Sequence, residues 1–244
     1  MTASIPQASG YLIDMDGTLL TGDTLFPDAG WLLEAVADRF MLVSNDSEHT
    51  PLQLSRRLTR LGLVIAPDRI VLAGTAAIDM IADTWPGSRL HLLGSAAIKT
   101  YALQQGLELA EENVDTVLVT RDRLFTYQRL AQAAAAVHAG ARLIVACPDT
   151  SHPGSDGTPV PEAGALAEAI MAAAGVRDHK IVGKPEPTLF LAACRQLGIS
   201  PSSAVMIGDN AQTDGVGARR LGMRFFLVEN GDVRSSFKRL SQAV

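Results

Sequence analysis

The chain is poor in the features that define several protein classes. It has only 2 cysteines in 244 residues, Cys147 and Cys194, and no C-x-x-C. A disulfide scaffold is therefore excluded, and two buried thiols in a reducing compartment are expected. Basic residues are outnumbered, 21 Lys and Arg against 26 Asp and Glu, for a net charge of −5. That removes the cationic excess that a phosphate backbone selects, so no nucleic-acid partner is expected. Long apolar runs are also missing. The stretch 131–147 is broken by Gln132, His138 and Arg142, and 163–175 by Glu168, leaving no window of the roughly 20 apolar residues a membrane span needs. Met1 to Gly10 has neither Lys, Arg nor an apolar core, so it does not read as a signal peptide. A cytoplasmic protein without a membrane partner is the expectation.

What is present is a foldable core. Hydrophobic residues make up 47% of the chain and charged residues 19%, which excludes a disordered composition. At about 150 residues per domain, the length leaves one or two domains open. Short apolar runs alternate with longer helical patterns. Tyr11-Leu12-Ile13 runs into Asp14, Phe40 to Val43 into Ser44, and Ala204 to Ile207 into Gly208-Asp209, while Phe225 to Val228 follows Gly222. Strands that are apolar throughout read as buried on both faces of a parallel sheet. Helices are predicted over 30–39, 50–61 and 187–197, the last two closed by Gly62 and Gly198. A second set of strands falls at 90–93, 116–120 and 142–146, with helices near 96–105 and 127–139. Trp85-Pro86-Gly87-Ser88 reads as a linker into this section and Val176 to Lys180 as its exit. The fold class is therefore α/β.

Three of the first-set strands end in polar residues of a definite kind: Asp14-Met15-Asp16-Gly17-Thr18, Ser44-Asn45-Asp46, and Gly208-Asp209-Asn210 with Asp214 nearby. Open α/β sheets place ligands at the carboxyl ends of their strands. Carboxylates converging there repel one another unless a cation lies among them, and hard oxygen ligands point to Mg²⁺. Lys184, in Gly183-Lys184-Pro185, is a compact positive charge suited to a phosphoryl oxygen.

Asp14-Met15-Asp16-Gly17-Thr18-Leu19-Leu20 resembles the D-x-D-G-[TV]-[LI] nucleophile motif of the haloacid dehalogenase-like superfamily. Ser44, Lys184 and the Asp209/Asp214 pair follow in the order of that superfamily's other motifs, and the resemblance spans nearly the whole chain. Gly183-Lys184-Pro185-Glu186-Pro187 and Gly208-Asp209-Asn210-x-x-Thr213-Asp214 are similar to its NagD-like branch. That resemblance implies a three-layer α/β/α Rossmann-like core over 1–86 and 179–244, with an inserted α/β cap over 87–178 that closes over substrate. It implies a hydrolase of small phosphorylated metabolites, and a homodimer through the cap.

Site roles follow from chemistry and resemblance together. Asp14 is the expected nucleophile and Asp16 the general acid and base. Asp14, the Asp16 carbonyl, Asp209 and Asp214 are the expected Mg²⁺ ligands. Ser44 and Lys184, with Asn45, would hold the phosphoryl oxygens. Pro148 to Gly157 resembles the branch's substrate loop, which makes Asp149 and His152 candidates for the leaving group; a plain surface loop is the competing reading. Asp214 has a bland alternative as a helix cap. Asp46 places negative charge beside a phosphate site, so its side chain is expected to turn away and bond the backbone. A phosphotransferase, or a catalytically silent regulatory protein on the same scaffold, remains the alternative to hydrolysis.

Overall fold

The structure is a computed structural model in which residues 5–154 and 157–241 are described. Ser155 and Asp156 of the expected substrate loop lie outside the described residues.

The elements run β1 (Gly10–Ile13), β2 (Leu20–Thr21), β3 (Thr24–Leu25), α1 (Ala29–Val36), β4 (Phe40–Ser44), α2 (Pro51–Arg60), β5 (Ile70–Leu72) and α3 (Ala73–Thr84). Next come β6 (Arg89–Leu93), α4 (Ala96–Gln104), β7 (Glu108–Leu109), β8 (Thr116–Val119), α5 (Tyr127–His138), β9 (Arg142–Val145), β10 (Ser151–Pro153) and β11 (Pro159–Pro161). The chain ends with α6 (Ala163–Ala174), β12 (Lys180–Ile181), α7 (Pro187–Leu197), β13 (Ala204–Gly208), α8 (Val216–Arg220), β14 (Arg224–Leu227) and α9 (Val233–Ser241).

These elements form two units, one of Met1–Ser44, Leu52–Val71 and Lys184–Val244, the other of Asn45–Pro51 and Leu72–Gly183. The first is built on a five-stranded sheet in the order β14-β13-β1-β4-β5. β1 pairs in parallel with both β13 and β4, and every residue of β1 and β13 is buried. That double burial is why these strands are apolar without alternation. α7 matches its expected span because its signals are local: Pro187 opens it, and Gly198 closes it in the left-handed conformation at φ 67°.

The second unit repeats the architecture with a five-stranded sheet in the order β12-β9-β8-β6-β7. Its ladders are likewise parallel, and β8 is buried throughout. Its bounds differ from the expected 87–178: residues 72–86, 179–183 and 45–51 all group with it. The physical reason is tertiary. The Tyr101 hydroxyl donates to Asp79 Oδ1 at 2.8 Å, fastening α4 to α3, and the Arg142 guanidinium covers the Trp85 ring at 4.8 Å. Trp85-Pro86-Gly87 is thus a turn inside this unit rather than its entrance, and β12 adds a strand beside β9. Both cysteines are free and buried, as expected. Among the described residues, no helix is long and apolar enough to cross a membrane.

Candidate active site

β1 delivers Asp14 at its carboxyl end, where the Asp14 N–H still donates to Ile207 O of β13 at 2.8 Å. The turn that follows needs Gly17: its φ is +82°, and a Cβ there would lie 1.9 Å from Asp209 Oδ2. Thr18 is fully buried, and its hydroxyl donates to Asp14 Oδ2 at 3.4 Å. Gly208 ends β13 for a similar reason, since a Cβ would meet Asp214 Oδ2 at 2.2 Å. A side chain at either position would force the facing carboxylate to move.

Lys184 is the hub. Its Nζ lies 2.5 Å from Asp14 Oδ1 and 2.7 Å from Asp214 Oδ1, and it donates to Val43 O at 3.1 Å. Both Lys184 and Asp214 are buried. Burial alone would lower a lysine pKa, but the Asp14 and Asp214 charges override it and raise it, so the ammonium stays protonated. Asp214 is thus an ion-pair partner of Lys184. The helix that the alternative reading had it cap, α8, has Gly215 at its N-terminus and no side-chain cap, while Asn210 caps the turn before it, its Oδ1 accepting from Gln212 N at 2.9 Å and Thr213 N at 3.3 Å.

One ligand oxygen from each of Asp14, Asp209 and Asp214 lies within 4.8 Å of the others. Burial pushes the Asp209 carboxyl up to about 6, with the Asp14 charge adding to it and Lys184 opposing. Burial pushes Asp214 up to about 7, Lys184 again opposing and Asp14 adding. Three carboxylates, only two of them in contact with the one lysine, leave a surplus of negative charge on hard oxygen donors, a donor set that fits a divalent cation. Ser44 is buried at the end of β4, and Asp16 is exposed beyond β1. The structure thus brings Asp14, Lys184, Asp209 and Asp214 into one cluster.

The other expected residues form a second cluster, inside the second unit. Asn45 Nδ2 donates to Asp149 Oδ2 at 2.9 Å. Asp46 turns to the backbone as expected, Oδ1 accepting from Glu48 N at 2.8 Å and His49 N at 3.0 Å. His152 Nδ1 lies 2.7 Å from Glu162 Oε1, and its Nε2 lies 3.5 Å from Arg121 Nη2. A guanidinium only donates, so Nε2 is the ring's acceptor towards Arg121. Burial lowers the His152 pKa, with Arg121 and Arg123 lowering it further and Glu48 opposing.

Glu48, Arg121 and Glu162 were not singled out from the sequence. Arg121 Nη1 lies 3.3 Å from Glu48 Oε2 and 3.4 Å from Glu162 Oε1, and Arg123 Nε lies 2.8 Å from Glu48 Oε1. Burial pushes Glu162 up to about 7; Arg121 opposes, while Asp46, Asp149 and Glu48 add to it. The one visible signal was Arg121 itself, a charge immediately beyond an apolar strand.

Comparison with known proteins agrees with this geometry. A family model described as haloacid dehalogenase-like hydrolase matches residues 11–108, and a HAD-hydrolase-like model matches 181–240. An acid sugar phosphatase of Staphylococcus aureus is 31% identical over 98% of this chain and 97% of its own length. Among solved structures, NagD from E. coli K-12 superposes with a TM-score of 0.85 at 26% identity, covering 92% of this chain and 88% of that one. The 4-nitrophenylphosphatase of Thermotoga maritima gives 0.86 at 29% identity, covering 92% and 87%. The chain belongs to the haloacid dehalogenase-like hydrolases. Within that family it is a NagD-like phosphatase, a hydrolase acting on phosphoric monoesters.

Proposed function

We propose that the chain hydrolyses small-molecule phosphomonoesters with Mg²⁺ through a phosphoryl group carried on Asp14. The observation that carries this reading is the Asp14–Lys184–Asp214 cluster with Asp209 beside it, a nucleophile and a cation-demanding donor set on adjacent strand ends.

Asp14 attacks phosphorus in line; its new O–P bond forms as the ester P–O bond breaks. Asp16 gives a proton to the departing alkoxide, because an alkyl oxygen leaves poorly without one. A water then attacks the phosphorus, Asp16 takes its proton, and inorganic phosphate leaves with Asp14 restored. Lys184 holds a phosphoryl oxygen; Ser44 and the Asn45 N–H bind further phosphoryl oxygens. Asp14, the Asp16 carbonyl, Asp209 and Asp214 would hold Mg²⁺, which supplies charge neutralisation at the transferring phosphoryl group. Asp149 and His152 are assigned to the leaving group.

The test is phosphate release from 4-nitrophenyl phosphate with and without Mg²⁺. Release is expected only with the metal, and Asp14→Asn abolishes it. A mutant equal to wild type removes Asp14 as nucleophile. The sugar phosphates implied by the name of the Staphylococcus relative are the first alkyl substrates to assay, and adding sugar acceptors in the same assay detects transfer in place of hydrolysis.

A further inference from the structure

Asp209 follows β13, and Asp214 lies in the turn beyond it, Ala211–Gly215, which is wound as a π turn rather than an α turn. Such turns are rare, and they concentrate at functional sites. One residue anchors this one. Asn210 O accepts from Asp214 N at 2.9 Å and from Gly215 N at 3.2 Å, where an α turn would use the first alone. Asn210 Oδ1 accepts from Gln212 N at 2.9 Å and Thr213 N at 3.3 Å, two of the amides that a helix start leaves without a partner. The Asn210 N–H in turn donates to Asp214 Oδ2 at 3.3 Å. Every amide from 212 to 215 therefore bonds to this one residue.

The turn delivers Asp214 into a space with little slack. Its carboxylate is buried, Oδ1 lies 2.7 Å from Lys184 Nζ, and Oδ2 would lie 2.2 Å from a Cβ on Gly208. Asn210 itself is exposed, so its side chain contributes through its bonds to the turn rather than through packing. We propose that Asn210 is a positioning residue of this site. Its side-chain carbonyl holds the π winding that sets the Asp214 carboxylate beside Lys184 and Asp209, and so prepares the cation site without touching metal or substrate. Protein in which the turn has relaxed must rewind it before the cation is held, so apparent affinity falls by the fraction still wound. This inference deepens the Mg²⁺ reading and rests on it for the identity of the cation.

The test is calorimetric titration of Mg²⁺ into metal-free protein, with thermal melting of the same samples. Asn210→Ala is expected to weaken Mg²⁺ binding about five- to tenfold, the effect that losing an N-terminal cap has on an equilibrium. Asn210→Ser, whose hydroxyl also caps, is expected to return to within about twofold of wild type. Thr126→Ala is the control for a purely structural role, because the Thr126 hydroxyl caps α5 in the second unit, accepting from Arg129 N at 3.3 Å. It should lower Tm about as much as Asn210→Ala and leave Mg²⁺ affinity unchanged. Asn210→Gly, which costs a helix start little, carries the test if Asn210→Ala does not fold, with binding weakened by about threefold or more. Affinity within about twofold of wild type in the variant that carries the test overturns the proposal. So does failure of Asn210→Ser to recover it, or an equal loss of affinity in Thr126→Ala. Wild-type protein that gives no Mg²⁺ isotherm removes the cation reading and this inference together. Wild-type protein that binds Mg²⁺ but hydrolyses no phosphomonoester removes the phosphatase reading alone and leaves the affinity comparison decisive for Asn210.

Discussion

The two units share an architecture, a five-stranded parallel sheet with helices packed on it, but they balance charge differently. In the second unit four acids beyond strand ends have basic partners, Glu48 with Arg121 and Arg123, Glu162 with Arg121, Asp122 with Arg129, and Asp46 with His49, while Asp149 accepts from the Asn45 amide. In the first, Asp14 and Asp214 share Lys184, with Asp209 within ligand distance of both. The lesson is that the fold alone does not mark the reactive site, because both sheets have carboxyl-end loops. The mark is the unbalanced negative charge, packed against glycines at which a Cβ would press on the carboxylates.

The largest expected effect is on turnover. Asp14→Asn should lower phosphate release by at least about a thousandfold, whereas Asp122→Asn, at a balanced strand end, should leave it within about threefold. Steady-state assays of the two variants check this, and comparable losses would erase the contrast between the units.

Next is stability. Lys184→Met strands two buried carboxylates and should cost about 3–5 kcal/mol, measured by denaturant unfolding. A loss below about 1 kcal/mol would mean that Asp14 and Asp214 are not held by that lysine.

Gly17→Ala comes third. At φ +82°, with Asp209 against the missing Cβ, it should cost about 1–3 kcal/mol and weaken Mg²⁺ binding in calorimetry. Gly22→Ala is the control: its φ is also positive, at 57°, but nothing lies within 4 Å of its Cβ, so metal affinity should not change.

The smallest effect is a pH slope. Asp209 and Asp214 have folded-state pKa values of about 6 and about 7 against 3.8 for the unfolded carboxyl. A carboxyl raised on folding binds its proton more tightly in the native state, so stability falls as pH rises between those values. Metal-free protein should therefore melt at a lower temperature at pH 7.5 than at pH 5. Mg²⁺ should raise Tm at pH 7.5 and have little effect at pH 5, where protons compete for the same oxygens. In Asp209→Asn with Asp214→Asn the slope should shrink to the part owed to the other raised carboxyls, Glu162, at about 7, and Asp79.

Much of this was legible in the sequence because the signals are local. Asp14, Ser44 and Asp209 each follow an apolar strand, and Pro187 and Gly198 bracket their helix to the residue. Asp46 was legible as a charge that had to turn away, and it does. The rest depended on contacts between residues distant in the chain. Nothing adjacent to Asp214 distinguishes a cap from a partner of Lys184. The turn at Pro86-Gly87 resembles a domain boundary until Tyr101 is seen bonded to Asp79. Glu48, Arg121 and Glu162 come from three separate strand and helix ends, so no motif joins them. His152 was legible as a loop histidine, but its neighbours Glu162 and Arg121, at 2.7 and 3.5 Å, were not.

The central claim is that the unbalanced acid at the end of β1 carries the phosphoryl group. The direct measurement is to quench the enzyme during turnover of 4-nitrophenyl phosphate with Mg²⁺, reduce it with borohydride, and sequence its peptides by mass spectrometry. An acyl phosphate is reduced to the alcohol, so the account predicts homoserine at position 14 and at no other aspartate. Turnover without reduction at Asp14, or reduction at Asp16 or Asp209 instead, would contradict it.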